Sequence, residues 1–306
     1  MEQEIFDTVV LGGGPAGYTA ALYAARAGFS VLLLEKLSPG GQLATTDVIE
    51  NYPGFSEGIG GFELAMKMKE GAEKFGAKTK LAEVVSVELG EEVKKLTTKK
   101  ETLFARTVVL ATGARPRELG LPGERELRGR GVSYCATCDG MFYRGKTVAV
   151  VGGGNTAAAD ALYLSRLCEK VFLIHRRDSL RASKSYLAPL ERAGNVEFVW
   201  NSRVTELKQE TALTGLILQN TASGEQREIS CDGVFVAIGY LPETDLFAGQ
   251  LNLDESGYVE ADETTRTNLP GVFAVGDLRR KPLRQVVTAA ADGAVAAYFM
   301  EEYLNR

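Results

Sequence analysis

The sequence predicts an α/β protein with two dinucleotide-binding domains, the second inserted into the first. Three observations lead to this prediction: a glycine-rich motif after a short apolar strand, a second copy of that motif, and a C-terminal region that begins no third copy. Residues 8–14, TVVLGGG, return as residues 148–154, VAVVGGG, 140 positions later. In each copy a helical stretch and a second strand follow, which is the βαβ unit of a Rossmann-like domain.

Composition agrees with about two globular domains. The chain has 306 residues, of which 45% are hydrophobic and 25% charged. Its net charge of -5 argues against nucleic acid or an anionic membrane as a partner. No run approaches the ~18 apolar residues that span a bilayer, and the acidic start MEQEIFD lacks the basic region of a secretory signal. We therefore expect a cytoplasmic protein, with neither a membrane nor a nucleic-acid partner.

The first glycine motif reads Gly12-x-Gly14-x-x-Gly17 and precedes the helical stretch PAGYTAALYAARAG and the strand VLLLE. Such glycines permit a tight turn and let a pyrophosphate approach the backbone at a helix N-terminus. Glu35 stands 21 residues after Gly14, where a carboxylate can accept a hydrogen bond from a ribose hydroxyl. The alternative is a glycine-rich turn that binds nothing, but strand, helix and acid follow in the expected order.

The second motif, GGGNTA at 152–157, places His175 at the position equivalent to Glu35. Three arginines stand beside this histidine: Arg176, Arg177 and Arg181. A carboxylate would repel a 2′-phosphate, whereas guanidinium groups bind one, so this motif predicts NADP rather than NAD. The alternative is that HRRDSLR is a solvated surface face.

Two sites with different ribose chemistry imply two cofactors, and FAD with NADPH is the natural pair. Each motif is followed by a strand that ends in a small-residue turn, VVLATGARP and VFVAIGYLP. We therefore expect a discontinuous FAD-binding domain of residues 1–114 and 244–306 around an NADPH-binding domain of residues 115–243. Both junctions contain proline and are candidate hinges.

Further motifs of the first domain fit a flavin. GGQL at 40–43 and NYPG at 51–54 lie in a predicted irregular insert, whose loops can close over a ring system. Asp277 is expected to end a strand and can hold ribityl hydroxyls, and a helix that begins near 284–286 offers backbone N–H groups. Singly, each motif is most often only a turn.

The pair Cys135 and Cys138 in CATC is compatible with a metal site, a stapled turn or an electron carrier. A zinc site needs about four ligands. The chain has no second CxxC, and its other candidate ligands, Cys168, Cys231 and His175, are scattered. A helix N-terminus within CATC would lower a thiol pKa and favour attack on a partner disulfide.

The whole chain resembles the low-molecular-weight thioredoxin reductases of bacteria. The resemblance runs from Val9 to the C-terminal helix and rests on GGGPAGYTAA, GGQL, ENYPGF, ATGARP, CATCDG, GGGNTA, HRRDSLR, VAIG, PGVFAVGD and RQVVTAA, in that family's order. It implies a homodimeric thioredoxin-disulfide reductase that passes electrons from NADPH through FAD to a redox disulfide and then to thioredoxin. It also implies an alternation of two domain orientations.

The resemblance also implies the roles of individual residues. Cys135 and Cys138 form the disulfide, Cys138 lies toward the flavin, Cys135 attacks the partner and Asp139 handles protons. As an alternative or an addition, Asp139 is a first-turn residue favoured by the helix dipole. No residue is assigned to a metal. The FAD site is assigned to Gly12, Gly14, Pro15, Ala16, Gly17, Glu35, Lys36, Gly41, Gln42, Leu43, Thr46, Asn51, Val84, Ala111, Thr112, Gly113, Gly276, Asp277, Arg284, Gln285 and Val286. The NADPH site is assigned to Gly152, Gly154, Asn155, Thr156, His175, Arg176, Arg177, Arg181, Ile238 and Gly239.

Two departures and several rival functions accompany the resemblance. The family often has two aromatic residues after CATCDG, where this chain has Met141 and Phe142, and Ala158 and Ala159 replace acidic or bulkier residues. The absence of a C-terminal histidine argues against the larger glutathione-reductase type, which uses a His–Glu base. The nearest rival is an NADPH- or ferredoxin-linked flavin reductase with another acceptor. The others are a peroxiredoxin-reducing flavoprotein, for which we expect no room before the first strand, and a non-enzymatic NADP sensor.

Overall fold

The structure is a computed structural model that describes residues 4–46 and 48–306. The chain folds into two compact units. One consists of the described residues up to Arg115 together with Leu241–Arg306, and the other consists of Pro116–Tyr240. The chain therefore leaves the first unit once and returns to it once.

Helices and strands alternate after each glycine-rich turn, and runs of consecutive strands separate these parts of the chain. The strands are β1 (Ile5–Leu11), β2 (Val31–Glu35), β3 (Val48–Ile49), β4 (Ile59–Gly60), β5 (Lys78–Leu81), β6 (Val84–Glu88), β7 (Lys94–Thr98), β8 (Thr102–Leu110), β9 (Ala114–Pro116), β10 (Val132–Ser133), β11 (Thr147–Val151), β12 (Lys170–Ile174), β13 (Val196–Val199), β14 (Ser202–Gln209), β15 (Leu213–Asn220), β16 (Gln226–Ser230), β17 (Gly233–Val236), β18 (Tyr240–Pro242) and β19 (Val272–Ala274). The α-helices are α1 (Pro15–Arg26), α2 (Gly61–Lys74), α3 (Ala136–Asp139), α4 (Asn155–Leu164), α5 (Lys184–Arg192) and α6 (Val286–Leu304). Short 3₁₀ turns lie at Gly41–Thr45, Gly140–Tyr143, Asp245–Phe247 and Gly276–Leu278.

The first unit is built on a sheet with the strand order β5-β2-β1-β8-β7-β6, and β19 also pairs with β8. The strands β5, β2, β1, β8 and β19 run parallel, while β6 and β7 add an antiparallel extension. Residues 9–11 of β1 and 31–34 of β2 are continuous apolar runs, as expected where apolar clusters cover both faces of a parallel sheet. Helices α1 and α6 share one of the two apolar clusters that cover it.

The second unit repeats this plan with a parallel sheet in the order β10-β17-β11-β12-β13. Val148 and Val150 of β11 and Leu173 of β12 are fully buried. A three-stranded antiparallel sheet, β14-β15-β16, follows in the chain. The expected α/β architecture with two Rossmann-like units is confirmed, and the carboxyl ends of β1 and β11 each lead into a glycine-rich turn.

The segment that we expected to be irregular contains some regular structure. GGQL enters the 3₁₀ turn Gly41–Thr45, and β3 and β4 pair as a short antiparallel ladder. A Cβ on Gly61 would lie 2.1 Å from the carbonyl oxygen of Leu43, so the start of α2 packs tightly against this turn. The insert is therefore a packed part of the first unit. Hydrophobic periodicity could not predict its strands, because each of them is only two residues long.

Two short strands carry the chain between the units. β9 contains Pro116 and β18 contains Pro242, and these two strands pair with each other. The chain thus passes between the units in two paired extended strands, and each strand contains one of the prolines noted in the sequence, Pro116 or Pro242.

Candidate active site

The first glycine-rich turn is shaped by backbone contacts that exclude side chains. A Cβ on Gly12 would lie 2.3 Å from the carbonyl oxygen of Ala111, and one on Gly17 would lie 1.9 Å from that of Gly12. Around Gly14, in contrast, a Cβ would meet nothing within 4 Å. Gly14 is the N-cap of α1 and supplies no side-chain cap. The turn therefore combines a tight backbone with open space at a helix N-terminus, which suits a pyrophosphate.

The second turn has the same geometry. A Cβ on Gly152 would lie 2.4 Å from the carbonyl oxygen of Ala237, whereas one on Gly154 would meet nothing within 4 Å. Gly154 caps α4, again without a side-chain hydrogen bond. Asn155 at the first position of α4 accepts a hydrogen bond from the backbone of Ser183 at 2.8 Å. Both turns thus leave open space over the first N–H groups of a helix.

Glu35 lies at the end of β2 and reaches back to the first turn. Its carboxylate accepts hydrogen bonds from the backbone N–H of Gly13 at 2.7 Å and of Leu37 at 3.0 Å. The neighbouring Lys36 pairs with Glu83 at 2.8 Å, just before β6. The carboxylate therefore contacts the glycine-rich turn, which we expect to hold the FAD ribose and pyrophosphate.

Asp277 offers a buried hydrogen-bonding atom to a ligand. Its Oδ1 is buried and has no hydrogen-bond partner among the described residues. Burial raises the pKa of this carboxyl above its ordinary value. An orphaned buried oxygen is costly unless a ligand or water satisfies it. Asp277 therefore fits the expected role of binding ribityl hydroxyl groups.

The start of α6 is organised by side chains of the predicted FAD site. Gln285 is the N-cap, and its backbone N–H donates to Thr288 Oγ1 at 3.1 Å in a capping box. Asn51 donates from Nδ2 to the side-chain oxygen of Gln285 at 3.0 Å. The guanidinium of Arg284 lies 4.1 Å from the ring centroid of Tyr258. The insert is thus attached to the helix whose N–H groups we expect to face the flavin.

A buried ion cluster that the sequence analysis did not identify supports the same region. Asp292 in α6 accepts hydrogen bonds from the backbone of Gly276 at 2.9 Å, from Arg279 at 2.9 Å and from Lys281 at 2.8 Å. Although burial opposes ionisation, the hydrogen bonds from Arg279 and Lys281 hold the pKa of Asp292 below its ordinary value. The cluster fixes the 3₁₀ turn that carries Asp277.

His175 lies beneath the second glycine-rich turn and is only 6% exposed. A Cβ on Gly153 would come within 2.1 Å of the imidazole ring, so the glycine is what lets the ring pack there. Burial lowers the pKa of His175, and Arg181, Arg176 and Arg177 lower it further. The neutral ring therefore supports the turn from below, while the three arginines are exposed.

Cys135 and Cys138 form a disulfide at the start of α3. Cys135 is the N-cap of this helix, and Asp139 is its last residue. Ser133, which the sequence analysis missed, donates from Oγ to Asp139 Oδ2 at 2.6 Å and accepts the N–H of Cys135 at 3.1 Å. One buried hydroxyl thus bridges the first cysteine and the acid.

The surface beside the disulfide is apolar and exposed. Met141 and Phe142 follow α3 in the 3₁₀ turn Gly140–Tyr143 and are 43% and 50% exposed. Arg144 lies close to Met141, with its guanidinium 3.9 Å from the sulfur. This chain therefore presents a thioether and a ring side by side next to its redox pair.

Most of the predicted site residues lie at the carboxyl ends of the parallel strands or in the segments that follow, whereas Val84 begins the antiparallel strand β6. In the first unit, Gly276 packs against Ala16, because a Cβ on Gly276 would lie 3.0 Å from the Ala16 methyl. Gly41 lies beside Gly14, and Gln42 donates to the carbonyl of Ala114. Pro15 and Val286 begin their helices, and Leu43 and Val84 are buried. The hydroxyl of Thr46 donates to the carbonyl of Gln42, and the hydroxyl of Thr112 donates to the carbonyl of Glu243. Gly113 has a φ of 74°. In the second unit, Asn155 and Thr156 are exposed at the start of α4, Ile238 is exposed after β17, and Gly239 has φ 106°.

Among residues 4–46 and 48–306, no three histidine, cysteine or acidic side chains form a group able to hold a metal ion. Within that same part of the chain, no helix combines the length and apolar character that crossing a bilayer requires.

Comparison with known proteins extends over nearly the whole chain. Residues 6–293 match the family of pyridine nucleotide-disulphide oxidoreductases. A thioredoxin reductase of Bacillus subtilis is 45% identical over 305 residues, which cover 99% of this chain and 96% of that protein. A bifunctional thioredoxin reductase/thioredoxin of Mycobacterium leprae is 47% identical, over 99% of this chain and 66% of its own length.

A solved structure is also similar over its full length. The thioredoxin reductase of Streptococcus pyogenes superposes with a TM-score of 0.91 at 42% identity, and the match covers 98% of each chain. The match to the Bacillus subtilis protein and to the Streptococcus pyogenes structure therefore covers nearly the full length of both partners in each comparison.

Proposed function

The chain belongs to the pyridine nucleotide-disulphide oxidoreductases, and we propose that it is a thioredoxin reductase that carries electrons from NADPH through FAD to the Cys135–Cys138 disulfide and on to thioredoxin. The observation that carries this proposal is the disulfide itself, held at a helix start in a chain that also has two glycine-rich nucleotide turns. It uses FAD and NADPH as its cofactors.

We assign the two cofactors to different units on the geometry of the turns. In the first unit, the open space at Gly14, the carboxylate of Glu35 and the orphaned oxygen of Asp277 fit the pyrophosphate, ribose and ribityl groups of FAD. In the second unit, the space at Gly154 and the exposed Arg176, Arg177 and Arg181 fit NADPH. Bound FAD supplies two-electron redox chemistry between NADPH and the disulfide.

Reduction of the partner proceeds by thiol–disulfide exchange. The Cys135 thiolate attacks one sulfur of the thioredoxin disulfide, so that a mixed disulfide forms and the other partner sulfur leaves as a thiolate. Cys138 then attacks the sulfur of Cys135, which re-forms the Cys135–Cys138 bond and releases the second partner sulfur. Two electrons pass to thioredoxin, and two protons complete its dithiol.

The chain provides two aids to this exchange. The N-cap position of Cys135 places its sulfur at the positive end of α3, which favours a thiolate. Asp139 follows Cys138 directly in the chain and is assigned proton transfer, and the hydroxyl of Ser133 donates to its carboxylate and orients it. Met141 and Phe142 form the apolar surface on which we place thioredoxin.

We also propose a homodimer in the cytoplasm. Exposed aromatic rings stand on both of the neighbouring helices of the first unit, Tyr23 on α1 and Tyr298 on α6, and Val287 is exposed on α6 as well. Exposed apolar side chains of this size are typical of subunit interfaces. Light scattering on the wild type and on Tyr298→Glu tests this: we expect a dimer for the first and dissociation for the second. A wild-type monomer at micromolar concentration contradicts it.

The function is tested by NADPH consumption with oxidised thioredoxin as the acceptor. Purified protein should be yellow, bleach anaerobically on addition of NADPH and regain colour when oxidised thioredoxin is added. A panel of thioredoxins from the same organism should include at least one efficient acceptor. Bleaching without any thioredoxin-dependent recovery would favour the second candidate, a flavin reductase with another acceptor, and a colourless protein would exclude both enzymes.

A further inference from the structure

Residues 175–181, HRRDSLR, are called the arginine segment here, and hydrogen bonds from the turn between β13 and β14 hold its backbone. The N–H of His175 donates to the carbonyl of Val199, and the N–H of Ser202 donates to the carbonyl of His175, both at 3.0 Å. The N–H of Asn201 donates to the carbonyl of Arg177 at 3.1 Å. The segment that carries the exposed guanidinium groups is therefore not a free loop.

A second contact comes from the antiparallel sheet. Thr221 follows β15 directly, and its Oγ1 donates to the carbonyl of Arg176 at 3.2 Å. Its backbone N–H donates to the carbonyl of Asn201 at 2.6 Å. Thr221 thus ties the turn and the arginine segment together, and the carbonyls of Arg176 and Arg177 both receive a hydrogen bond from outside the segment.

Asn201 has an unusual backbone conformation. Its φ is 47°, in the left-handed region, and within residues 4–46 and 48–306 the only other non-glycine residue with positive φ is Thr265. This region costs free energy for most side chains, although asparagine tolerates it better than others. Strained backbone persists where surrounding contacts hold it, and here those contacts are with Arg177 and Thr221.

We propose that Asn201 and Thr221 are positioning residues for recognition of the 2′-phosphate of NADPH. Arginine side chains lose conformational entropy when they bind a phosphate. If their backbone is already fixed in the free protein, binding costs only the entropy of the side chains. The two residues fix the backbone of Arg176 and Arg177 without contributing charge. This inference rests on the proposed function, since it requires that these arginines bind the phosphate.

Calorimetric titration with two adenosine nucleotides tests the role of Thr221. Adenosine 2′,5′-diphosphate carries the phosphate in question, and 5′-AMP lacks it. Thr221→Val removes the hydrogen bond that holds the Arg176 carbonyl and should weaken binding of the diphosphate about fivefold. Binding of 5′-AMP should be unchanged, and Thr221→Ser should bind both ligands as the wild type does. In turnover, KM for NADPH should rise with little change in kcat.

Thr205 provides a matched control. Its Oγ1 also donates to a backbone carbonyl in the second unit, that of Ile217 at 3.2 Å, but not in the arginine segment. Thr205→Val should therefore lose a comparable bond without changing the affinity for either nucleotide. Equal weakening of the diphosphate by Thr205→Val and Thr221→Val would overturn the inference, because the effect would then be one of general stability.

Asn201 is tested through its backbone conformation. Glycine adopts a φ near 47° freely, whereas a β-branched residue does not. Asn201→Gly should keep diphosphate affinity within about twofold of the wild type, because the backbone bonds survive without strain. Asn201→Val should lose affinity for the diphosphate alone. If glycine and valine weaken binding equally, the backbone argument is wrong.

The failures of this inference and of the proposed coenzyme are distinguishable. If the wild type binds 5′-AMP as tightly as the diphosphate, the assignment of NADPH to the arginine segment fails. If the wild type prefers the diphosphate but Thr221→Val retains that preference in full, only the positioning role is overturned.

Discussion

Burial divides the four cysteines into two kinds. Cys168 and Cys231 are free and buried, and burial raises the pKa of the first thiol to about 11 and of the second to about 12. Cys135 and Cys138 are only partly buried and lie at the start of α3. Since the thiolate is the nucleophile, Cys168 and Cys231 are chemically inert in the folded protein.

This difference predicts the pattern of thiol alkylation. After reduction of the native protein, iodoacetamide at pH 8 should label Cys135 and Cys138, and peptide mass spectrometry should find Cys168 and Cys231 unmodified. Denaturation before labelling should expose all four. Rapid labelling of Cys231 in the native protein would show that its site opens easily and would contradict its assignment as a structural residue.

The order of the two exchange steps predicts what is trapped when one thiol is removed. In Cys138→Ser, Cys135 can still attack the thioredoxin disulfide, but no resolving thiol remains, so a stable mixed disulfide should accumulate. Mass spectrometry should find this adduct in Cys138→Ser and not in Cys135→Ser. The reverse result would exchange the two roles.

The residues that sequence patterns predicted are those whose signal is local. The glycines of both turns follow strands directly, and CATC stands at a helix start, so spacing along the chain was enough. Thr221 escaped prediction because its partner, Arg176, is 45 residues away. Ser133 lies only six residues before Asp139, and a serine at a strand end beside a CxxC was a signal that could have been used.

At the scale of elements, α6 contributes both to the predicted FAD site and to the buried ion cluster. Its N-terminus carries Gln285 and the N–H groups of the first helical turn. Its middle carries Asp292, which accepts hydrogen bonds from Arg279, Lys281 and the N–H of Gly276. An aspartate inside VVTAAADGAVAAYF was a signal in the sequence, because a buried charge needs a partner. Its partners could not be named, since they depend on how the 276–281 segment packs against the helix.

Asp292→Asn should weaken both the first unit and its hold on FAD. The change leaves Lys281 buried without the charge of Asp292 and leaves Arg279 with the exposed Glu263, 3.5 Å away, as its remaining ion-pair partner among the described residues. We therefore expect a loss of about 3 kcal/mol in the free energy of unfolding at pH 7. FAD should dissociate more readily, as measured by fluorescence of the released flavin. Asp254→Asn is a control of the same chemistry, because the half-buried Asp254 accepts hydrogen bonds from the backbone N–H groups of Ser256 and Tyr258 and, among the described residues, forms no ion pair.

The stability difference should depend on pH in a defined direction. Because the folded-state pKa of Asp292 is lowered, its stabilisation is present above the unfolded pKa of about 3.9 and is lost as pH falls through the folded value. Urea unfolding should therefore show a gap between the wild type and Asp292→Asn that is constant near neutrality and shrinks below about pH 4. A gap that widens in acid would contradict the assigned ion cluster.

At the scale of the molecule, the disulfide and the second nucleotide turn belong to one unit, and the first nucleotide turn belongs to the other. If the unit of residues 116–240 is rigid, its disulfide and the nicotinamide of NADPH bound to it have to exchange electrons with the same flavin one after the other. We therefore predict a rotation about the connecting segments near β9 and β18. The repeat in the sequence predicted the two units, but no sequence signal gives the angle between them.

A crosslink that locks the units with the disulfide against the flavin tests this rotation. Reduction of the flavin by NADPH should be lost in the locked protein, while electron exchange between photoreduced flavin and the disulfide should persist. Cleavage of the crosslink should restore the first reaction. Undiminished turnover from NADPH to thioredoxin in fully crosslinked protein would show that no rotation is needed.

The central claim is that electrons reach thioredoxin through the Cys135–Cys138 pair. Its most direct test compares NADPH oxidation by the wild type and by the double variant Cys135→Ser/Cys138→Ser, with oxidised thioredoxin and with an electron-accepting dye. We predict that the double variant retains FAD and reduces the dye but loses thioredoxin-dependent NADPH oxidation completely. Thioredoxin reduction at the wild-type rate by the double variant would contradict the claim and make the disulfide incidental to the activity.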